Sequence, residues 1–154
     1  MNITIQELDR RMEHFETVCR REGVKLTHQR MEIFREVAHT EDHPDAEKIF
    51  TRVRKRMPTV SLDTVYRTLW MLNDLGLVTT LGSSRERTRF DANLNSHHHF
   101  VCGLCGYTRD FYSTELDKIT LPDSVDSLGE IEATHVELRG ICQNCVEEDT
   151  PKTI

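Results

Sequence analysis

Apolar residues recur at helical spacing through the first half of the chain, and this periodicity predicts four helices. Each predicted helix starts at a side chain that can accept a hydrogen bond from the first turn: Thr4, Thr27, Asp45 and Ser61. Gly23, Pro58 and Gly76 end three of them, because glycine favours the terminal left-handed turn and proline cannot continue a helix. Residues 77–81 and 88–90 then predict two short strands around a polar tip.

The order of these elements predicts the class of the fold. Helices that end in a further helix and a β-hairpin are typical of a winged helix-turn-helix, although a four-helix bundle with a loose hairpin would give a similar pattern. Residues 91–96 are rich in turn formers and predict a linker. Beyond it, the pattern predicts strands at 97–102, 107–111 and 131–141 and a short helix near 114–120. We therefore expect an α+β protein with a winged helix-turn-helix domain over residues 1–90 and a small α/β domain over residues 97–154.

The composition limits where the protein acts and how it is stabilised. Only 6% of the 154 residues are aromatic, which favours two small lobes with additional cross-links over one large core. No apolar run approaches the length of a membrane span, and the first residues lack the pattern of a signal peptide. We therefore expect a cytoplasmic protein with no membrane partner.

The charge is divided unevenly along the chain. The net charge of −6 argues, taken as a whole, against a nucleic-acid partner. Residues 1–90, however, carry 16 Lys and Arg against 14 Asp and Glu, a balance of +2. Residues 91–154 carry 4 against 12, a balance of −8. This division indicates two halves with different partners.

Four of the five cysteines form two Cys-x-x-Cys pairs, Cys102 with Cys105 and Cys142 with Cys145, separated by 36 residues. Each pair holds two thiolates at the separation that tetrahedral Zn²⁺ requires, so together they predict a closed, structural Cys₄ zinc site. Two disulfides or two redox dithiols are the alternatives, and they fit poorly with a chain that lacks an export signal and a βαβ context. Cys19 is isolated in a helix and is predicted to be a small buried residue.

The helix that starts at Ser61 carries the polar side chains expected of a DNA-reading helix. With Val65 and Leu69 turned toward the core, the side chains predicted to face DNA are Ser61, Thr64, Tyr66, Arg67 and Thr68. Arg67 is the candidate for a bidentate guanine contact. Further basic residues are expected along phosphates or, alternatively, as ordinary solvated charges: Arg52, Arg54, Lys55, Arg56, Arg85, Arg87 and Arg89.

A second metal site is predicted where three histidines precede Cys102. Because side chains alternate along a strand, His97 and His99 share one face and His98 points away. Two imidazoles near Asp91 and Asp110 make a mixed nitrogen and oxygen donor set that suits Fe²⁺, Mn²⁺ or Zn²⁺. The alternative is a polar surface strand. His98 and His135 are predicted to be surface or minor-site residues.

The chain resembles the ferric uptake regulator family over nearly its whole length, from about Thr4 to Cys145. The segments that carry the resemblance are 27–30 (THQR), 61–69 (SLDTVYRTL), 97–106 (HHHFVCGLCG) and 140–145 (GICQNC). The resemblance implies a homodimeric, metal-activated repressor that binds an inverted-repeat operator in double-stranded DNA. It also implies that the C-terminal α/β lobe dimerises.

The resemblance extends to the residues of the regulatory site. It implies that His43 joins Asp91, His97, His99 and Asp110 as a ligand of regulatory Fe²⁺ or Mn²⁺, so that the ion fixes the angle between the two lobes. Asp117 matches an acidic ligand of an accessory site of the family. Thr134 stands where iron-uptake members carry a histidine, which weakens that site here.

The carboxylates favour one subgroup of this family. Iron-uptake members generally carry Glu where this chain has Asp91 and Asp110, whereas peroxide-sensing members are similar to this chain in having Asp at both positions. In that subgroup, bound Fe²⁺ reacts with H₂O₂ and a ligand histidine is oxidised, which releases the metal and then the DNA. Iron-uptake and zinc-uptake repressors remain the alternatives. No small-molecule substrate other than metal ions and H₂O₂ is expected.

Two other classes of protein account for part of the sequence. A zinc hydrolase would use His97, His99 and Asp110 as a catalytic site, but it has no use for the polar helix that starts at Ser61. A zinc-dependent interaction module would need only the cysteines. A DNA-binding repressor that is not an enzyme uses every one of these features.

Overall fold

The computed structural model describes residues 3–82 and 87–149 and divides into two compact units, residues 1–94 and 95–154. The division falls inside the segment 91–96. Arg85 lies outside the described residues. In the part of the chain that the structure describes, no helix is long and apolar enough to cross a membrane.

The first unit contains the four predicted helices and the hairpin: α1 Ile5–Arg21, α2 His28–Ala38, α3 Ala46–Val53, α4 Leu62–Asp74, β1 Thr79–Leu81 and β2 Arg89–Asp91. Each predicted cap is confirmed, because its side-chain oxygen accepts a hydrogen bond from the backbone N–H three residues later. Such a cap stabilises a helix by about 1 kcal/mol. The local sequence therefore sets where all four helices begin.

The apolar faces of the helices and the hairpin pack into one core. Phe15 of α1 stacks on Phe34 of α2 with ring centroids 4.6 Å apart. Ile49 of α3 and Leu69 of α4 are completely buried in the same cluster. Phe90 of β2 is buried too, which fixes the face that the hairpin presents to the helices. This is the architecture of a winged helix.

The second unit is built on a three-stranded sheet in the order β4-β3-β5. Its elements are β3 His98–Cys102, β4 Thr108–Phe111, α5 Thr114–Asp117, β5 Glu137–Gly140 and α6 Gln143–Asp149, with one 3₁₀ turn at Asp123–Val125. Strand β3 pairs antiparallel with β4 and parallel with β5.

Two predictions about this unit need correction, and one helix was not predicted. The strand predicted over 131–141 spans only Glu137–Gly140, because β3 has five residues and offers no longer edge to pair with. The helix predicted near 114–120 ends at Asp117. Helix α6, which starts directly after Cys142 and contains Cys145, was not predicted, since seven residues are too few for a periodic signal.

Candidate metal centre

The parallel pairing of β3 and β5 brings the two cysteine pairs together. Cys102, the last residue of β3, lies opposite Gly140, the last residue of β5. The turns that follow the two strands therefore start at the same end of the sheet. The Sγ atoms of Cys102 and Cys145 are 3.9 Å apart, and those of Cys105 and Cys142 are 3.6 Å apart. Four sulfurs at about 2.3 Å from one zinc ion would be about 3.8 Å from each other, so the cluster has tetrahedral dimensions.

The protonation of the cluster also suits a cation. Backbone N–H groups of Cys105 and Cys142 lower the pKa of the Cys102 thiol to about 6. Hydrogen bonds with the neighbouring thiols of Cys142 and Cys105 raise the pKa of Cys145. The Cys102 sulfur is therefore readily ionised, while the Cys145 sulfur keeps its proton. A divalent cation bound by the four sulfurs would replace the thiol protons.

A buried imidazole and a buried carboxylate meet in the first unit. His43 lies in the segment between α2 and α3, and Asp91 is the last residue of β2. The His43 Nε2 atom is 3.2 Å from Asp91 Oδ2, and both side chains are almost completely buried. These residues offer one nitrogen and one oxygen donor.

Three further donors meet on one face of the sheet in the second unit. His99 of β3 and Asp110 of β4 are cross-strand partners, and His99 Nε2 is 3.3 Å from Asp110 Oδ1. The His97 Nε2 atom is 3.8 Å from the other Asp110 oxygen, and its Nδ1 contacts the carbonyl of Asn95 at 2.5 Å. Since a carbonyl only accepts, Nδ1 carries the proton, and in the neutral ring Nε2 carries the lone pair that could bind a metal. The predicted shared face of His97 and His99 is confirmed.

His98 lies on the opposite face, as predicted, but the prediction that it is a surface residue is wrong, whereas its alternative role in a minor site stays a prediction. It is completely buried. The Val136 N–H donates to His98 Nδ1 at 3.0 Å, so the proton of the neutral ring is on Nε2, which donates to Asp117 Oδ1 at 3.0 Å. Ser96 donates to the same carboxylate oxygen at 2.8 Å. Both ring nitrogens are thus used by the protein, whereas His135 is exposed.

Helix α4 presents most, but not all, of the side chains predicted to face DNA. Ser61 and Tyr66 are exposed, Thr64 is half-buried, and the exposed Arg67 pairs with Asp63 one turn earlier. Thr68 is buried, with 5% of its surface exposed, so its predicted outward position is wrong. It lies three residues after the buried Val65 and therefore shares the core-facing side of the helix.

A cleft of about 440 Å³ separates the start of α2 from α4, and its walls include Thr27, Arg30, Thr64 and Arg67. It therefore joins residues from two of the segments that carry the resemblance, 27–30 and 61–69. Arg30 donates to the Lys25 carbonyl at 2.6 Å, which holds its guanidinium beside this cleft. The exposed polar side of α4 thus continues onto the first turn of α2.

Most of the other basic residues make contacts within the first unit. Arg52 pairs with Asp42 at 2.6 Å, Arg56 with Glu32 and Glu36 at 2.9 Å, and Arg87 with Glu47 at 2.6 Å. Arg54 stacks over the Phe50 ring at 5.3 Å. Arg89 donates to main-chain carbonyls of the segment that carries His43. The composition suggested phosphate contacts for these residues because composition alone does not show which basic side chains have partners within the protein.

Comparison with known proteins agrees with this architecture. The model of the ferric uptake regulator family matches residues 21–139, about three quarters of the chain. The chain belongs to the ferric uptake regulator family. The α+β fold with an N-terminal winged helix and a C-terminal Cys₄ cluster is thereby confirmed. The chain is a metal-dependent repressor and not an enzyme, so the hydrolase and interaction-module alternatives are set aside.

Individual relatives cover nearly the whole chain. The peroxide-responsive repressor PerR of Staphylococcus epidermidis is 30% identical over 150 residues, which is 96% of this chain and 99% of that protein. The structure of the Helicobacter pylori ferric uptake regulator Fur superimposes with a TM-score of 0.73 at 21% identity, covering 93% of this chain and 96% of that one. PerR from Streptococcus pyogenes gives 0.52 at 26% identity, covering 94% and 95%.

Proposed function

We propose that this chain is a peroxide-responsive repressor whose homodimer binds an inverted-repeat operator when a regulatory site holds Fe²⁺ or Mn²⁺. The observation that carries the proposal is the donor set: three imidazoles and two aspartates, with Asp at both acidic positions. The ligands are His43, Asp91, His97, His99 and Asp110. The regulatory ion is distinct from the structural Zn²⁺ of Cys102, Cys105, Cys142 and Cys145.

The chemistry of the donors supports a divalent first-row metal. Imidazole nitrogens and carboxylate oxygens are the ligands that Fe²⁺ and Mn²⁺ share, whereas thiolates favour Zn²⁺. The carboxylate of Asp110 contacts His99 and faces His97, and that of Asp91 contacts His43. Each carboxylate can therefore neutralise part of the cation's charge beside the imidazole donors.

The proposed ligands come from both units. The first unit offers two donors, His43 and Asp91, and the second offers three. A single ion that takes ligands from both would fix the recognition helix relative to the dimerisation lobe. A dimer with both helices fixed can reach successive major grooves one helical turn apart.

The open edge of the second unit supports the homodimer. Among the described residues, β5 pairs only with β3 and is therefore an edge strand of the sheet. Leu138 on β5 and Ile141 directly after it are about half exposed. A second copy that packs against this edge would cover both apolar side chains.

Helix α4 supplies the proposed contacts to DNA through Ser61, Thr64, Tyr66 and Arg67. We expect Arg67→Ala to weaken operator binding by about 1–3 kcal/mol, because an arginine that reads guanine contributes about that much. Competition between an operator duplex that the wild type selects from a random pool and a scrambled duplex should show that most of the lost affinity is sequence-specific. A loss equal for both duplexes would indicate a phosphate contact instead.

Peroxide sensing follows from the same donor set. Bound Fe²⁺ supplies the redox chemistry by which H₂O₂ transfers one oxygen atom to a ligand histidine and is itself reduced to water. The positions of the ligands decide which histidine is oxidised. His43 lies beside Asp91, and His97 lies beside Asp110. A histidine that carries the added oxygen binds metal more weakly, and the operator is then released.

Peptide mass spectrometry tests the proposal. After H₂O₂ treatment of the Fe²⁺-loaded dimer, we expect one added oxygen on His43 or His97. Trypsin yields the segments 36–48 and 90–109, each of which also contains a non-ligand histidine, His39 or His98, as an internal control. The Mn²⁺-loaded protein should remain unmodified.

The outcome separates this proposal from its alternatives. Oxidation spread equally over ligand and non-ligand histidines would indicate non-specific damage. Unmodified ligand histidines in an Fe²⁺-loaded protein that still binds its operator would favour an iron-uptake repressor. A response to Zn²⁺ alone would favour a zinc-uptake repressor.

A further inference from the structure

The backbone of His43 adopts a conformation that residues with a Cβ atom rarely adopt. Among the described residues other than glycine, His43 alone has a positive φ, 49°. This left-handed conformation crowds the Cβ atom against the following carbonyl, so it persists only where surrounding contacts enforce it. It lies in the short connection between α2 and α3, which at Asp45 forms an isolated antiparallel β-bridge with Arg89 of β2.

Arg89 contacts the main chain at and directly before His43. Its Nε donates to the His43 carbonyl at 3.0 Å, and its Nη2 reaches the Asp42 carbonyl at 3.4 Å. The fork of one guanidinium therefore spans two consecutive carbonyls. The main chain adds a third link, because the Phe90 N–H donates to the Pro44 carbonyl at 3.1 Å.

The same strand contacts the His43 ring. Arg89 and Asp91 are two residues apart on β2, so their side chains leave the same side of the strand. Asp91 Oδ2 lies 3.2 Å from His43 Nε2, while Asp91 Oδ1 accepts the Asn93 N–H at 2.8 Å. Two side chains of strand β2 thus contact His43. Arg89 hydrogen-bonds to the backbone of His43, and Asp91 contacts the imidazole of His43.

We infer that Arg89 is a positioning residue for the regulatory metal: its guanidinium holds the His43 backbone so that the imidazole lies beside Asp91 ready to bind the ion. This inference rests on the proposed function. Partners that orient a metal ligand typically change metal affinity by 10–100-fold when they are removed. A planar guanidinium can bridge two carbonyls in a fixed geometry, and an ammonium group cannot.

The test compares Arg89→Met and Arg89→Lys with the wild type by titrating Mn²⁺ and following the electron paramagnetic resonance of the unbound ion. We expect Arg89→Met to bind Mn²⁺ at least about 10-fold more weakly, with Arg89→Lys intermediate because its ammonium can still donate to one carbonyl. Arg87→Met is the matched control. It removes an arginine two residues away that pairs with Glu47, and it should bind Mn²⁺ like the wild type.

A second readout separates positioning from general stability. Trp70, the only tryptophan, packs edge-on against Phe90 at 5.8 Å, so its emission reports whether β2 still packs on α4. We expect unchanged emission without metal and a smaller Mn²⁺-induced rise in unfolding temperature. Folded variants that bind Mn²⁺ as tightly as the wild type would overturn the inference, even if their unfolding temperature is lower. If His43→Ala also binds normally, the proposed ligand set is wrong instead.

Discussion

Mn²⁺ is expected to raise the affinity of the wild-type dimer for its operator about 100-fold, whereas the His43→Ala variant should show almost no response. His43 is almost completely buried and is the only imidazole that the first unit contributes to the proposed donor set. Without it, Asp91 alone would tie the recognition helix to the ion. A metal can shift the equilibrium between orientations of the recognition helix only by the difference in its binding free energy between those orientations. Losing one of the two ligands of the first unit removes most of that difference, and with it the coupling between metal binding and operator binding.

The measurement is fluorescence anisotropy with a duplex selected by the Mn²⁺-loaded wild type from a random pool. Titrations run in chelated buffer and in Mn²⁺, with the zinc content checked in both so that the Cys₄ site stays loaded. His39→Ala is the matched control, because His39 lies four residues away at the end of α2 and is not a proposed ligand. Equal affinity with and without Mn²⁺ in the wild type would contradict regulation by metal.

Local signals predicted much of this molecule. The four helix caps were predictable because each depends on a side chain and an N–H group three residues apart. The Cys₄ cluster was predictable because zinc spacing is local within each pair, and the parallel strands had only to join the pairs. The shared face of His97 and His99 follows from strand alternation alone.

The errors arose where the polarity or charge of a residue was used to assign its surroundings. Thr68 was predicted to face DNA because its side chain is polar, yet the phase set by Val65 buries it. Arg89 was expected along phosphates or as a solvated charge, and composition could not indicate that it bonds to a carbonyl 46 positions earlier in the sequence. His98 is buried because Val136 and Asp117, far along the chain, occupy both of its nitrogens. Composition assigns charge and polarity, but only the assembled fold assigns partners.

The Cys142→Ser variant is expected to lose the structure of the second unit and, with it, the dimer. Among the described residues of this unit, the buried apolar side chains are only Cys102 and Cys142, whereas the first unit has a continuous core. Structural zinc contributes about 10–16 kcal/mol in small zinc domains, as much as the whole stability of an ordinary domain. Removing one ligand would therefore remove the main term that keeps β3 and β5 folded.

Cys19→Ala is the matched control, since it removes the one cysteine outside the cluster. Cys19 is buried in the first unit, where burial raises the pKa of its thiol. That variant should keep one zinc per chain and the dimer, with some loss of stability in the first unit. Zinc content by atomic absorption and mass by light scattering measure both effects. A Cys142→Ser protein that remains dimeric with ordered second-unit amide signals would show that the unit folds without its fourth thiolate. In that case the stability of the lobe would have to come from the paired β5 edges of two copies instead.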